Sequence, residues 1–253
     1  MNNKQNLIGI FFAVLVLLPF GIFGESAEDI IAQVDRRQTS DSEISELSMT
    51  VIDDISDMNN RKVFRLESFS RKGEEDGELS VFFFREPRRL AGMAILSRDD
   101  GQWVYFPSTG RVRLLSGAAK GGSINGVGGD FSYEDLGTGN WGEDYNFSLI
   151  SSDETLWKLE GIPSSDDVNY SRIIMEIHKN DYIPRRIEFY KGKINPEKIM
   201  TIREVSAFNG RMNPAVIEMD NPSKNSRTLI EIHKMEFDRP LNDNLFHPRQ
   251  FYR

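Results

Sequence analysis

The chain has 253 residues, with 39 acidic against 31 basic side chains, a formal net charge of −8 and no cysteine. That length suits one large β-rich domain or two small ones and buries a core without covalent staples. The missing cysteines exclude disulfide support and any lipidated N-terminal cysteine, and the acidic surface repels phosphate backbones, which argues against nucleic acid as a partner. Seventeen Phe, seven Tyr and three Trp supply aromatic side chains for a core or for a greasy cavity.

Met1 to Asn6 is a short polar start carrying Lys4, followed by the unbroken apolar run Leu7 to Leu18. Pro19 and Gly21 break that run, and Gly24-Glu25-Ser26-Ala27 brings small residues before an acidic stretch. A membrane-spanning helix needs about 20 apolar residues. The order of charged start, short apolar stretch and small-residue exit is instead that of a secretory signal peptide. The expectation is cleavage near Gly24 to Ala27, a periplasmic mature protein and one domain over 25–253; an uncleaved anchor is the alternative. Loss of Lys4 takes the mature charge from −8 to −9.

Ser26 to Gln38 (SAEDIIAQVDRRQ) predicts a helix. Ser26 can cap it, Glu28 and Asp29 suit its positive end, and Arg36 and Arg37 suit its negative end. Ile30, Ile31 and Val34 form one apolar stripe that needs a surface to dock on.

Beyond it the hydrophobic period falls to two. Strands are predicted at 46–53, 62–70, 78–85, 89–96, 103–106 and 110–115. Further strands are predicted at 145–150, 155–159, 172–178, 183–190, 199–205, 215–219 and 228–237. Turn residues lie between them at Asp100-Gly101, Asn180-Asp181 and Asn209-Gly210, among others. This is a mostly β (α+β) pattern: an antiparallel sheet, curved or nearly closed, with one or two helices packed on it. Val81-Phe82-Phe83-Phe84 is apolar on both faces, so that strand is covered twice or meets a ligand on one side.

Gly117 to Gly129 holds six glycines in thirteen residues, which predicts a mobile segment, either a surface loop or a gate. In the following Asp130-Phe131-Ser132-Tyr133-Glu134-Asp135-Leu136, Ser132 and Asp135 have the spacing of a capping box. Phe131, Tyr133 and Leu136 would then pack inward, as structure or as a lid. Arg111 and Arg113, two apart on a strand, share a face and suit either solvent or a headgroup or partner acid. His178, His233 and His247 lack metal-ligand spacing, and no nucleophile elbow, P-loop or dinucleotide fingerprint is present. Adjacent carboxylates such as Glu134 and Asp135 rarely converge on one glycosidic bond. No enzyme, cofactor or metal is expected.

The stretch DDGQWVYFPSTGRVRLL, the glycine loop and GDFSYEDL together resemble the outer-membrane lipoprotein-sorting protein family, relatives of the periplasmic lipoprotein carrier. RIIMEIHKNDYIPRRIEFY (172–190) and LNDNLF (241–246) are similar to that family too. The resemblance implies a strongly curved antiparallel sheet, an unclosed barrel with helices over its mouth. It implies a carrier that shields acyl chains of a lipid or lipoprotein on the way to the outer membrane, between an inner-membrane transporter and an outer-membrane acceptor. The alternative it implies is a soluble accessory subunit of a lipid-exporting transporter.

Burying a methylene is worth about 0.8 kcal/mol, so a sixteen-carbon chain demands on the order of 10 kcal/mol of shelter. The residues expected to line such a cavity are Phe64, Leu66, Phe82, Phe84, Met93, Ile95, Trp103, Tyr105, Ile173, Met175 and Ile177. Gly121, Gly122, Gly126, Phe131 and Tyr133 are expected at its lid or gate, and Arg111 and Arg113 at its headgroup or partner contact.

Overall fold

In the computed structural model of the protein, residues 25–253 are described except 39, 74–77, 99–100, 117–118, 137–139 and 167. The candidate leader through Gly24 lies outside the described residues, as do Gly117 and Ala118 of the glycine loop. Among the described residues no helix is long and apolar enough to cross a membrane.

Helix α1 (Ala27–Gln38) begins where its cap dictates: the Asp29 amide donates to Ser26 Oγ at 3.1 Å. Its stripe of Ile30, Ile31 and Val34 is fully buried. Six strands follow: β1 (Ser42–Ile52), β2 (Arg61–Lys72), β3 (Glu78–Glu86), β4 (Ala94–Arg98), β5 (Gly101–Phe106) and β6 (Arg111–Leu115). Then come a small hairpin of β7 (Ser123–Ile124) and β8 (Gly128–Ser132), a 3-10 turn at Glu134–Leu136 and the short helix α2 (Trp141–Asp144). The second half is β9 (Tyr145–Ser152), β10 (Leu156–Pro163), β11 (Arg172–His178), β12 (Pro184–Tyr190), β13 (Lys198–Phe208), β14 (Arg211–Asn221) and β15 (Ser226–Phe237).

Thirteen of these strands form one antiparallel sheet in the order β6-β5-β4-β3-β2-β1-β15-β14-β13-β12-β11-β10-β9. Each half is a simple meander, and the halves join where β1 pairs with β15. The edges β6 and β9 do not pair with each other, so the sheet is not closed into a barrel.

One face of both halves, α1 and the hairpin all contribute to a single buried apolar cluster that runs from Leu47, Phe64 and Phe84 to Leu159, Met175 and Phe189. Side chains from opposite ends of a thirteen-strand sheet meet in one cluster only if the sheet curls around it. That face is therefore concave.

A second cluster covers the opposite, convex face of β3–β5. Val81, Phe83, Ala94 and Leu96 pack there against Phe246 and Phe251 of the C-terminal segment. This explains why β3 is apolar on both sides: it is covered twice, by the concave core and by the returning chain end. The predicted strand at 89–96 starts late, at Ala94, because residues 87–92 form a turn in which the Leu90 and Ala91 amides donate to the Pro87 carbonyl.

Phe246 is 1% exposed, so Phe246→Ala should lower the unfolding free energy by about 3 kcal/mol through the cavity it leaves. Ile194→Ala, at a residue 94% exposed, should change it by less than about 0.5 kcal/mol. Urea denaturation of both variants checks the pair of values.

Candidate functional site

The concave face is built from alternate residues of paired strands. Phe64 lies opposite Met49, Leu66 opposite Phe84, and Met175 between Leu159 and Ile187. Phe64 and Phe84 meet edge to face with ring centroids 6.2 Å apart. Of the eleven residues expected here, Phe64, Leu66, Phe84, Met93, Ile95, Ile173, Met175 and Ile177 are buried in the concave cluster, and Phe82 packs against it.

Trp103 and Tyr105 are the exceptions. They point to the convex face, where Tyr105 stacks on Tyr252 at 4.1 Å. The inward residues of β5 are Gln102 and Val104, the latter fully buried in the concave cluster. A strand apolar on both sides carries no phase in its composition, and the phase is set by the C-terminal segment covering the far side.

The hollow of the sheet is occupied by the protein's own chain. α1 fills one part, and the segment linking the two sheet edges fills another. Its Ile124, Val127, Phe131, Tyr133 and Leu136 are all buried in the concave cluster. Within the glycine loop, Ile124 and Val127 are nonetheless packed, at 1% and 2% exposure. Gly129 shows why glycine is needed: its φ is +78°, and an added Cβ would come within 2.8 Å of Val51 and of Thr228 Oγ1. Gly126 also has positive φ, and its carbonyl accepts from Arg89 at 2.8 Å. Gly121 lies against Asn169, and Gly122 turns back onto the Ala119 carbonyl.

Polar contacts, latches in the plain geometric sense, hold this segment to the sheet. The capping box forms as its spacing predicts, with Asp135 N donating to Ser132 Oγ and Ser132 N donating to Asp135 Oδ2 at 2.7 Å. The three acids of the motif then diverge. Asp130 accepts from Ser226 Oγ and Thr228 Oγ1 on β15, and burial raises its carboxyl above the usual range. Glu134 accepts from the amide and side chain of Asn169. Asp135 accepts from Tyr170 Oη and from Lys198 Nζ, both at 2.7 Å, and the Lys198–Asp135 side chains are 9% and 4% exposed.

Burial, followed by the Asp135 carboxylate, pushes the Tyr170 phenol far up, so Tyr170 remains a neutral donor. Three acids directed at three different partners form latches, not a paired-carboxylate site. Asn169, Tyr170, Lys198, Ser226 and Thr228 escape sequence reading. Each is an ordinary polar residue whose partner lies far away in the chain.

Arg111 and Arg113 are exposed on the edge strand β6, on the face of buried Leu115. Arg113 lies near enough to Tyr133 to favour its ionised form, although burial is the stronger influence on that phenol. Arg113 therefore lies beside the crossing segment that carries Tyr133. Among the described residues no group of three or more His, Asp or Glu side chains is placed to hold a metal ion.

A curled, unclosed antiparallel sheet with a helix and a crossing segment in its hollow is the LolA-like class of fold. A putative outer-membrane lipoprotein-sorting protein domain from Vibrio parahaemolyticus superposes with a TM-score of 0.80 at 23% identity, covering 89% of this chain and 98% of that one. A DUF1329 family protein from Desulfovibrio piger gives 0.79 at 23% identity, over 87% and 95% of the two chains. A LolA superfamily protein from Nitrosomonas europaea gives 0.72 at 21% identity, over 88% and 98%. Residues 76–253 match a family model whose description reads "-like: Uncharacterized protein", and the chain belongs to that family. No curated protein gives a significant match.

Lys198→Met should destabilise the protein by about 3 kcal/mol by leaving a buried carboxylate without its cation. Combined with Asp135→Asn, the loss should fall short of the sum of the single losses by at least about 1 kcal/mol, as a double-mutant cycle in urea would measure.

Proposed function

We propose that this protein is a periplasmic carrier whose single domain, 25–253, takes an acyl chain of a lipid or lipoprotein into the concave side of its sheet and gives it up to an outer-membrane acceptor. The observation that carries this reading is the construction of the concave side. Apolar residues of both half-sheets share one concave cluster with an amphipathic helix, the crossing segment and Tyr170, and polar contacts hold that segment to the sheet. The likeness to a lipoprotein-sorting domain and the leader-like start of the chain support it. It is the role of a binding protein, with no bond made or broken.

In this reading the lid swings away and the acyl chain takes its place against Phe64, Phe84, Met175 and their neighbours. Phe131 and Tyr133 leave with the segment, and the glycines at 121, 122 and 126 let its backbone rearrange. Arg111 and Arg113 border the path at the mouth.

A second reading, an accessory subunit of an envelope transporter, draws on the edge strand β6. There Arg111 and Arg113 sit beside unpaired backbone, with Leu114 at 59% exposure. Whole-cell crosslinking from position 112 that captures a membrane protein, unaffected by concave-face substitutions, would favour it over the carrier.

Delipidated protein should take up a fluorescent acyl probe, and Met175→Asp should weaken uptake at least tenfold. Because that variant carries a charge in the core, the sharper test is a staple. Asp130→Cys with Ser226→Cys joins residues whose side chains are 2.6 Å apart, in a chain that has no other cysteine. The oxidised form should refuse the probe and the reduced form should accept it. Equal uptake in both forms contradicts lid opening.

A further inference from the structure

The seam where β1 pairs with β15 has an opening on its concave side, at the end away from the crossing segment. Glu43, Ser45 and Leu47 alternate on one face of β1, and Leu47 belongs to the concave cluster. Phe237 lies opposite Glu43 on β15. A cleft of about 250 Å³ opens here at the C-terminal end of α1, lined by Arg37, Ser40, Glu43, Arg211, Asn213 and Phe237. It stands about 26 Å along β1 from Val51, against which Gly129 of the crossing segment is packed. Between the two, the concave side of the seam presents Leu47, Met49, Ile230 and Ile232.

Two cations reach this cleft from different elements, and both are held in place. Arg37, in the last turn of α1, donates through Nη2 to the Met212 carbonyl at 2.6 Å. Arg211 of β14 donates through Nη2 to Asp238 Oδ2 at 2.5 Å, and its guanidinium lies 4.6 Å over the Phe237 ring. A guanidinium has five N–H donors in a rigid fork. Among the described residues these hydrogen bonds use one on each, so both forks keep donors for an anion.

Arg37 is the less compensated of the two. Burial is the largest influence on it and lowers its pKa, while the Asp181 carboxylate supports its charge and Arg185 opposes it. Among the described residues Arg37 makes no ion pair, and Asp181 is itself paired with Arg185 at 2.5 Å. A partly buried cation bonded to a carbonyl gains from an anion that shares its cleft. The acid in the lining is Glu43. Ser45 Oγ donates to it at 2.8 Å, which leaves further acceptor positions on the carboxylate.

We propose that Arg37, Arg211 and Glu43 form a subsite for a zwitterionic phosphoethanolamine head, on an amphiphile whose chain lies along the apolar seam. The guanidiniums take the phosphate oxygens, as forked donors do. Glu43 takes the ammonium, which brings three donors and no acceptor. The seam is then divided by chemistry, with a polar cleft for the head and apolar rows for the chain. The inference rests on the acyl-carrier reading, and the test separates the two.

Dodecylphosphoethanolamine, dodecyl phosphate and dodecanol, each below its micellar concentration, are titrated at pH 8 into delipidated protein carrying a fluorescent acyl probe. Phosphoethanolamine, the same head without the chain, is the fourth ligand. Dodecylphosphoethanolamine should displace the probe at least tenfold more effectively than dodecanol, with dodecyl phosphate between them. Phosphoethanolamine alone should not displace it at equal concentration.

Arg37→Gln with Arg211→Gln should bring dodecylphosphoethanolamine to within about twofold of dodecanol in the same variant, and Arg37→Lys with Arg211→Lys should restore part of the difference. Glu43→Gln should bring dodecyl phosphate level with dodecylphosphoethanolamine. The headgroup series on the unaltered protein decides the matter even where a variant fails to fold. Equal displacement there by dodecylphosphoethanolamine and dodecanol overturns the subsite and leaves the carrier reading intact. A tenfold preference that survives in the folded Arg37→Gln/Arg211→Gln variant overturns its placement in this cleft. No displacement by any twelve-carbon ligand overturns both readings. Displacement by phosphoethanolamine as strong as by its dodecyl ester overturns the amphiphile and points to a free phosphate ester.

Discussion

The two ends of the sheet have to be connected. A meander that starts at β1, runs out to β6, restarts at β9 and returns to β15 leaves its outermost strands on opposite sides of an open mouth. The chain between them, described at 119–136 and 140–144, lies over the hollow between the two edges. β8 packs against β15, β1 and β14, deep in the curve and not around its outside. Topology therefore delivers the glycine-rich stretch and the DFSYEDL motif into the concave face, and everything proposed about function depends on that placement.

For the proposed carrier, the consequence is an exchange of segment and guest, not a filling. The five apolar side chains that the crossing segment buries, Ile124, Val127, Phe131, Tyr133 and Leu136, are each worth about 1.5–3 kcal/mol of burial, on the order of 10 kcal/mol together. A sixteen-carbon chain gains a similar amount from the same surface. When guest and lid are worth nearly the same, the balance is set by smaller terms, and uptake is reversible. The latches belong to those smaller terms. The Lys198–Asp135–Tyr170 and Asp130–Ser226–Thr228 groups hold the lid by polar geometry, which an acyl chain cannot reproduce. If the proposed carrier role holds, such a competitor inside the site would favour release.

Most strands and helix α1 are legible in the sequence because their signals are local. Ser26 caps α1, the alternation of RIIMEIH places Ile173, Met175 and Ile177 on the concave face, and the Ser132–Asp135 spacing foretells the capping box. What the sequence hides is what depends on distant partners. Trp103 and Tyr105 sit on a strand with two apolar sides, and only the return of residues 246–252 decides which side is outward. The glycine stretch reads as loose until Val51 and Thr228 close on Gly129. Lys198 looks like an ordinary strand-end lysine until the fold brings Asp135 to it. The polar cross-strand row Glu43, Ser70, Ser80, Ser97 and Gln102 of β1–β5 is scattered over 60 positions of sequence and becomes one feature only through strand register.

The three tryptophans offer the most direct test of whether a guest enters the hollow. Trp157 lies in the concave cluster and Trp103 on the convex face. Variants keeping only one of them, Trp103→Phe/Trp141→Phe and Trp141→Phe/Trp157→Phe, can be titrated with a bromine-labelled fatty acid, whose heavy atoms quench only nearby indoles. Acyl chains inside the curve should quench Trp157 strongly and leave Trp103 bright. Quenching of Trp103 with Trp157 untouched, or of neither at saturating ligand, would mean that the concave side of this sheet does not receive the chain.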